Sequence, residues 1–518
     1  MCGVDSVVQC MSAMRFAIMR VLLGTVAAAR TSAVEPTTGE SPFRAGAAKV
    51  DLAPPVGVPL GGYFARHSPL WPLPDPDHTN YTWRFKASTG VRDPVFVKAL
   101  VLETAEVSLA HVTLDMMSAD QGLATDAFRL ASMQGFSIPW ERVLFHASHT
   151  HSSFGGYSSE PVLELAALDK MSPAIRQDAA RKVADAMLAA QSSVQPARLG
   201  IGQAVLGDVT CNRRAFVSPN DRPTSIDPLL GLLRVDSLDG APLATLWNYP
   251  VHGTCLSENN LQISADIMGA ASAAVEAHVG GIALFINSDA GDIAPSSHAC
   301  GASADGSSAS FPGGQEIAKA VGALRLRLST TEAPQIQTAS LSHEFGPTNA
   351  NLSLFACPPQ EISCEPPQGG TVTRQSPPSE LCNLTSVLDK AQHLRLGKAF
   401  VNTIARFSAV RITIAGHHTL LVSIPGEAIH DLGNEIRGDL DLATRLRSDG
   451  VSVGFNTTML LGYTNNYMFY FTTPKEYDIG GYEPQMSLWG RYDGEMVRQQ
   501  CAKVAKLVAP TGGHSTQS

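Results

Sequence analysis

Short apolar runs alternate with longer helix-like segments through most of the 518-residue chain. Apolar runs of this kind, bounded by turn residues, are typical of strands buried in a sheet. They occur at Val143–Phe145, Leu243–Trp247, Ile282–Ile286, Thr419–Ile424 and Thr458–Leu461. The alternation predicts an α/β fold, in which mixed β-sheets are flanked by helices within a single large domain.

The intervening segments carry helix signals. Ser172-Pro173 combines an N-cap residue with a proline in the first turn. Apolar residues then follow at helical spacing, at Ile175, Ala179, Val183 and Met187. Three further segments are predicted to be helical, namely Asp266–His278, Gln315–Leu328 and Ser386–Phe407.

The first residues have the composition of an export signal. Arg15 and Arg20 precede an apolar run, and the small residues Ala29 and Ala33 follow it. A charged start, a short apolar run and a small-residue exit are typical of a secretory signal peptide, although a buried helix is the alternative. Residues 1–33 are therefore predicted to be an upstream segment plus signal peptide, and the protein to be secreted or periplasmic. No later segment approaches the roughly 20 apolar residues of a membrane span.

The cysteines fit this interpretation. Of nine cysteines, Cys2 and Cys10 fall in the predicted leader. Nine minus two leaves seven, an odd number, so at least one thiol is free or paired between chains. Cys357, Cys364 and Cys382 lie in the Pro-rich stretch 345–382, which is predicted to be a surface loop, and two of them can pair in an exported protein. Residues 511–518 are predicted to form a disordered tail.

Charge and apolar content exclude several classes of protein. Apolar residues make up 44% of the chain, which allows a sizeable core and argues against disorder. The net charge is −9, with acidic and basic residues dispersed. The absence of a basic stripe predicts that there is no nucleic-acid partner. Nothing in the composition indicates an oligomeric state.

Two histidines follow the first predicted strand. If the strand through Phe145 continues, His149 and His151 project from the same face, because residues two apart do so. His146 then falls in the opposite register. Two imidazoles on one face are half of a zinc site, although hydrogen-bonded structural histidines are the alternative.

Four further polar segments lie after or close to the later predicted strands. They are His252 before Gly253, the turn Ser288–Asp292, Glu427, and the aromatic-rich stretch Tyr463–Tyr482. Sites in α/β folds gather beyond the carboxyl ends of strands, which favours a common site. Each segment also has a structural alternative, respectively a packed histidine, capping side chains, a helix-terminal charge and an aromatic core.

Together these segments resemble the catalytic domain of the neutral, non-lysosomal ceramidases, over roughly residues 43 to 505. Several motifs occur in the family's order, which is more specific than any one match. They are Phe43–Pro55 with Gly61-Gly62-Tyr63, His149-Thr150-His151, Asn212-Arg213, Val251–Thr254, Ser288–Asp292, Pro425-Gly426-Glu427, and Tyr470–Thr473 through Tyr482-Glu483.

The resemblance implies a single zinc ion and a set of site residues. The implied metal ligands are His149, His252, Glu427 and Tyr470. The implied catalytic residues are His151 as a proton donor or transition-state contact, Arg213 and Tyr482 as substrate or oxyanion contacts, and Ser288 as nucleophile or positioning group. Zinc lowers the pKa of bound water toward about 7 and polarises a carbonyl. The implied reaction is cleavage of an amide, such as an N-acyl lipid, to a carboxylic acid and an amine.

The chain also departs from the family pattern. Ser153-Phe154 stands where the family typically has Gly-Pro, and the loop 345–382 is unusual. The family usually continues into a C-terminal β-sandwich, whereas residues 34–510 here are expected to be the catalytic domain alone. A lipid substrate would bring the protein to a membrane surface. The alternatives are a zinc-dependent esterase or lactonase on the same scaffold, and a non-catalytic binding protein.

Overall fold

A computed structural model describes residues 43–68, 73–216, 226–351, 393–445 and 455–510. The predicted leader 1–33, the predicted tail 511–518 and most of the predicted loop 345–382, with its three cysteines, lie outside these residues. Within the described ranges, none of the helices combines the length and apolar character that crossing a bilayer requires.

The described residues contain twenty strands, several of them very short. In chain order they are β1 (Arg44–Asp51), β2 (Gly90–Val91), β3 (Phe96–Glu103), β4 (Ser108–Leu114), β5 (Val143–Ala147), β6 (Gln195–Val205), β7 (Thr210–Asn212), β8 (Leu229–Ser237), β9 (Pro242–Asn248), β10 (Gln262–Ile263), β11 (Ile282–Ile286), β12 (Ile293–Pro295), β13 (Gln335–Glu344), β14 (Ala350–Asn351), β15 (His393–Leu394), β16 (Ile404–Ile414), β17 (His417–Ser423), β18 (Glu427–Ala428), β19 (Thr457–Leu461) and β20 (Tyr470–Phe471).

Two mixed sheets organise these strands. The larger has eight strands in the order β11-β9-β8-β6-β1-β3-β4-β5, and the smaller has four in the order β13-β16-β17-β19. The pairs β9–β11 and β4–β5 are parallel in the larger sheet, and β17–β19 is parallel in the smaller. The remaining neighbours in both sheets are antiparallel. The predicted mixed sheets are therefore confirmed.

An apolar core joins one face of each sheet. Successive side chains of a strand point to opposite faces. Leu233 of β8 and Leu284 of β11 therefore face this core, as do Val410 of β16 and Leu461 of β19 in the smaller sheet. Their neighbours in sequence face the other way and pack against helices.

Helices cover the outer faces of both sheets. The longer ones span Gln121–Met133, Pro173–Ser192, Asp266–Val279, Pro312–Arg327, His430–Arg445 and Asp493–Leu507. Shorter helical segments span Phe64–Arg66, Trp140–Arg142, Pro161–Leu163, Glu164–Leu168, Arg213–Phe216, Ser297–Cys300, Pro474–Ile479 and Tyr482–Gln485. The first four long helices pack on or beside the larger sheet, and the last two lie on the smaller one. This layering confirms the predicted α/β class.

Most predicted elements are confirmed with small shifts of their ends, but one predicted helix is wrong. Within Ser386–Phe407, the described part contains the strand β15, a turn at 398–400 and the start of β16. Side chains of β16 point alternately to the two faces of the sheet, since Phe407 faces the helices whereas Val410 faces the core between the sheets. Aromatic and β-branched residues fit such a doubly buried strand.

A disulfide joins Cys255 to Cys300 across 45 residues. Cys211 is also disulfide-bonded, and Cys501 is a buried free thiol among the described residues, in keeping with the predicted odd count. The double variant Cys255→Ala/Cys300→Ala is expected to lower the free energy of unfolding by about 2–4 kcal/mol, because the unfolded chain gains freedom. Urea unfolding measures this, and an unchanged midpoint would contradict it.

Candidate metal centre

The segment His149-Thr150-His151 lies in a turn directly after β5. The strand ends at Ala147, and His149 has a left-handed backbone conformation with φ of 67°. The strand therefore does not continue through the motif. The turn still brings the imidazoles together, with 3.1 Å between Nε2 of His149 and Nε2 of His151. Both residues are buried. A strained backbone of this kind is common at functional sites.

A third histidine joins this pair from the end of β9. Nε2 of His252 lies 3.2 Å from Nε2 of His149, and the ligand atoms of the three histidines all lie within 4.8 Å of one another. His146, by contrast, turns away as its register predicts, and its ring contacts His111 and Thr464. The sequence therefore separates the clustered histidines from the structural one correctly.

Backbone carbonyls orient two of the three imidazoles. Nδ1 of His149 lies 2.7 Å from the carbonyl oxygen of Met117, and Nδ1 of His252 lies 2.6 Å from that of Ala290. A ring nitrogen that faces a carbonyl carries a proton, so each ring directs its Nε2 into the cluster. Burial and the two neighbouring imidazoles also lower the pKa of His151 well below its usual range.

Glu427 and Tyr470 reach the same point from two short paired strands. Glu427 of β18 lies opposite Tyr470 of β20 in a parallel register. Oε2 of Glu427 is 3.3 Å from Nε2 of His149 and 3.2 Å from Nε2 of His252. The hydroxyl oxygen of Tyr470 is 3.3 Å from Nε2 of His252. Burial opposes the charge on Glu427, but the two imidazoles hold its pKa well below the usual range.

Two more tyrosines hold the Glu427 carboxylate. The hydroxyl of Tyr463 donates to Oε2 at 3.2 Å, and that of Tyr467 donates to Oε1 in a short hydrogen bond. Both follow β19 in the aromatic-rich stretch. The sequence indicates that stretch as part of a site but does not assign these two contacts. Their clustering directly after a buried strand is the signal that could have indicated them.

Arg213, Tyr482 and Glu483 form a second layer beside Tyr470. Nη2 of Arg213 donates to the hydroxyl oxygen of Tyr470 at 3.0 Å, and its Nε donates to Oε1 of Glu483 at 2.8 Å. The guanidinium lies 5.0 Å from the centre of the Tyr482 ring, which meets the Tyr470 ring edge-on at 5.4 Å. A buried cation is thus fixed at the phenol oxygen of Tyr470.

Tyr63 and Arg66 support His151 from the N-terminal part of the chain. The ring of Tyr63, which is half-buried, meets that of His151 edge-on at 4.8 Å. Arg66 is fully buried and donates a short hydrogen bond to the carbonyl oxygen of His151 and another, at 3.0 Å, to that of Gly61. Burial lowers the pKa of Arg66 to about 10. Tyr63 lies in the motif Gly61-Gly62-Tyr63, which carries part of the resemblance to the ceramidases, whereas no sequence pattern indicates Arg66.

Ser288 lies at the end of β11, beside the cluster but outside it. Its hydroxyl donates to Oδ1 of Asp289 at 2.7 Å, and Nη2 of Arg437 lies 3.5 Å from it. In the described part of the chain, these are the hydrogen bonds of the Ser288 hydroxyl, and neither partner belongs to the histidine cluster. Of the predicted site residues, the structure therefore brings seven together around Tyr470 and the histidines and leaves Ser288 in a neighbouring ion-pair cluster.

Four pairs of the converging atoms have the spacing of ligands around a metal ion. For zinc bonds of about 2.0–2.2 Å to nitrogen or oxygen, neighbouring ligand atoms lie about 3.3–3.6 Å apart. The pairs among His149, His252, Glu427 and Tyr470 given above lie 3.2 or 3.3 Å apart. A carboxylate oxygen and imidazole nitrogens this close need a proton or a metal cation between them. Imidazole and carboxylate are donors that suit zinc.

Comparisons with known proteins point in one direction. The family profile described as neutral/alkaline non-lysosomal ceramidase, N-terminal, matches residues 78–323. Neutral ceramidase A of Dictyostelium discoideum is 28% identical over 172 residues, which are 30% of this chain and 24% of the relative. The neutral ceramidase of Mycobacterium tuberculosis is 23% identical over 439 residues, which are 73% of this chain and 65% of the relative. Both alignments thus span less than two thirds of the relative's length.

A solved structure shares the fold. The crystal structure of neutral ceramidase from Pseudomonas aeruginosa superposes with a TM-score of 0.67 at 20% identity. The superposition covers 90% of this chain and 74% of that chain. The two chains therefore share one arrangement of sheets and helices.

Proposed function

We propose that the chain is a zinc-dependent amide hydrolase of the neutral/alkaline non-lysosomal ceramidase family, whose N-terminal profile matches residues 78–323. The proposed substrate is an N-acyl lipid such as a ceramide, cleaved to a carboxylic acid and an amine. The observation that carries the proposal is the meeting of two carbonyl-oriented imidazoles with a buried carboxylate. That donor set suits a metal centre that activates water.

His149, His252, Glu427 and Tyr470 are proposed to hold the zinc. When bound, the ion supplies Lewis acidity, which polarises the substrate carbonyl and acidifies a water molecule. The protein contributes the orientation of these ligands. Met117 and Ala290 fix the two imidazole rings through their carbonyl oxygens, and Tyr463 and Tyr467 fix the carboxylate. Such supporting contacts commonly change metal affinity about 10–100-fold.

His151 is proposed to move the proton. Because burial lowers its pKa well below the usual range, its imidazole is neutral at the start of the reaction. A neutral imidazole can accept a proton from the attacking water and then deliver it to the leaving amine nitrogen. Its Nε2 lies 3.1 Å from Nε2 of His149, so the proton would be carried close to the reacting atoms.

Arg213 and Tyr482 are proposed to bind the carbonyl end of the substrate. Negative charge develops on the carbonyl oxygen in the transition state of amide cleavage. The guanidinium of Arg213 is buried, held by Glu483, and placed at the Tyr470 hydroxyl. Tyr482 is half-buried and packs on both groups. A fixed cation and a phenol at this position would stabilise the developing charge.

The disulfides support an exported protein. Cys255–Cys300 is a disulfide, and Cys211 is disulfide-bonded as well. Disulfides persist mainly in oxidising compartments such as the periplasm or the extracellular space. We propose a secreted or periplasmic location, where the enzyme would reach its lipid substrate at a membrane surface.

A matched substrate panel tests the proposal. An N-acyl sphingoid amide and an ester of the same acyl chain are incubated with the protein as isolated, after chelation and after zinc is restored. Mass spectrometry should detect a free fatty acid and an amine from the amide, lost on chelation and regained with zinc. Cleavage of the ester alone would favour the esterase alternative. Full amide cleavage by the chelated protein would overturn the metal role.

A further inference from the structure

The turn Asp289–Asp292 touches several parts of the candidate metal centre through its backbone. The carbonyl oxygen of Ala290 lies 2.6 Å from Nδ1 of His252, and that of Gly291 accepts from Nη2 of Arg213 at 2.6 Å. The N–H of Gly291 donates to the carbonyl oxygen of Ala428, next to Glu427, at 2.9 Å. A shift of this turn would therefore misplace a proposed ligand and a proposed substrate contact together.

The side chain of Asp289 anchors this turn from behind. It is fully buried. Arg437 holds it in a bidentate ion pair, with Nη2 donating to Oδ1 at 2.8 Å and Nη1 to Oδ2 at 3.0 Å. The Ser288 hydroxyl donates to Oδ1 at 2.7 Å, and Nδ1 of His430 lies 3.4 Å from Oδ2.

The helix His430–Arg445 is packed closely on this carboxylate. A Cβ atom added at Gly433 would lie 1.9 Å from Oδ2 of Asp289, so only glycine leaves room there. Nη2 of Arg437 also donates to Oδ2 of Asp227 at 2.5 Å. The ion pair of Asp289 with Arg437 and the close packing of the helix therefore hold the turn in one position.

We infer that Asp289 is a positioning residue, which fixes the turn that orients His252 and Arg213, and that Ser288 acts through Asp289 instead of attacking the substrate. The Ser288 hydroxyl already donates its proton to the Asp289 carboxylate, and Arg437 donates to the Ser288 hydroxyl oxygen. No described base of the histidine cluster contacts it. The inference rests on the proposed function, because it concerns the affinity of the proposed zinc site.

Zinc affinity of Asp289→Asn tests the inference. Asparagine keeps the shape that fits against Gly433 but loses the charge that holds Arg437. The zinc Kd, measured by competition with a chromophoric chelator, is expected to rise about tenfold, at the lower end of the effect seen for residues that support metal ligands. Ser288→Ala is expected to weaken zinc binding a few-fold and to lower kcat by no more than about the same factor.

Asp236→Asn is the matched control. Asp236 of β8 is also a buried aspartate, and it forms an ion pair with Arg325. It contacts none of the proposed site residues. Its loss is expected to lower Tm without changing zinc Kd, whereas Asp289→Asn changes both. Arg437→Lys, which keeps one cation but loses the bidentate pair, should give an intermediate zinc Kd.

The outcomes separate the two proposals. If the unmodified chain binds zinc and the Asp289→Asn and Arg437→Lys variants bind it with the same Kd, the inference is overturned but the proposed function is not. Loss of kcat by more than about 10³-fold in Ser288→Ala at unchanged zinc Kd would identify Ser288 as a nucleophile and overturn its positioning role. Absence of zinc binding by the unmodified chain would overturn the proposed function and, with it, the inference.

Discussion

Replacing Glu427 by glutamine is expected to release the metal and to lower kcat/KM for amide hydrolysis by more than about 100-fold. Residues that merely support metal ligands change affinity or activity about 10–100-fold, so loss of a ligand should exceed that range. Glutamine keeps the size of the side chain but removes the negative charge that faces His149 and His252. Metal content by mass spectrometry and steady-state kinetics measure the two effects.

Glu276→Gln provides the control for this variant. Glu276 is a partly buried glutamate that pairs with Lys49 and Lys98, and it contacts none of the proposed ligands. It should retain both the metal and the activity. If Glu427→Gln folds normally by circular dichroism and keeps stoichiometric zinc with full activity, Glu427 is not a ligand.

The second large effect is expected for His151→Gln, which should keep the metal but lower kcat by about 10²–10⁴-fold, the usual contribution of a general acid–base group. Glutamine fills the space of the imidazole but cannot accept and return a proton. Metal content and kcat are measured on the same preparation. Loss of zinc together with activity would show that His151 is a ligand, a role that its 3.1 Å distance from Nε2 of His149 also permits.

His111→Gln is the matched control for the His151 variant. His111 is fully buried and pairs with His146, away from the histidine cluster. Replacing it should affect stability but neither metal content nor kcat at a temperature where the protein is folded. A comparable loss of kcat in both variants would mean that the effect of His151→Gln is structural.

The placement of the site could be predicted from the sequence because it follows from strand ends. His149, His252 and Glu427 come after β5, β9 and β17, and each strand is an apolar run that periodicity identifies. β5 and β9 belong to the larger sheet and β17 to the smaller one, and site residues in α/β folds gather beyond the carboxyl ends of strands. Tyr470 could not be found in this way, since its position depends on the pair β18–β20, whose two-residue strands are too short to show a period in the sequence.

The finer geometry depends on contacts between residues distant in sequence. The left-handed turn at His149 replaces the expected strand, and no local pattern distinguishes the two. The segment Ile404–Ile414 overlaps the end of the predicted helix Ser386–Phe407, but it is a strand that is buried on both faces between distant elements. Arg66 and Arg437 support the site from elements far along the chain, so only the fold shows that they do.

Anomalous X-ray diffraction from crystals of the protein, collected on both sides of the zinc absorption edge, tests the metal centre most directly. We expect one strong peak that appears only above the edge and lies within about 2.0–2.2 Å of Nε2 of His149, Nε2 of His252 and Oε2 of Glu427. Crystals of the active protein that show no such peak, or a peak bonded to other residues, would contradict it.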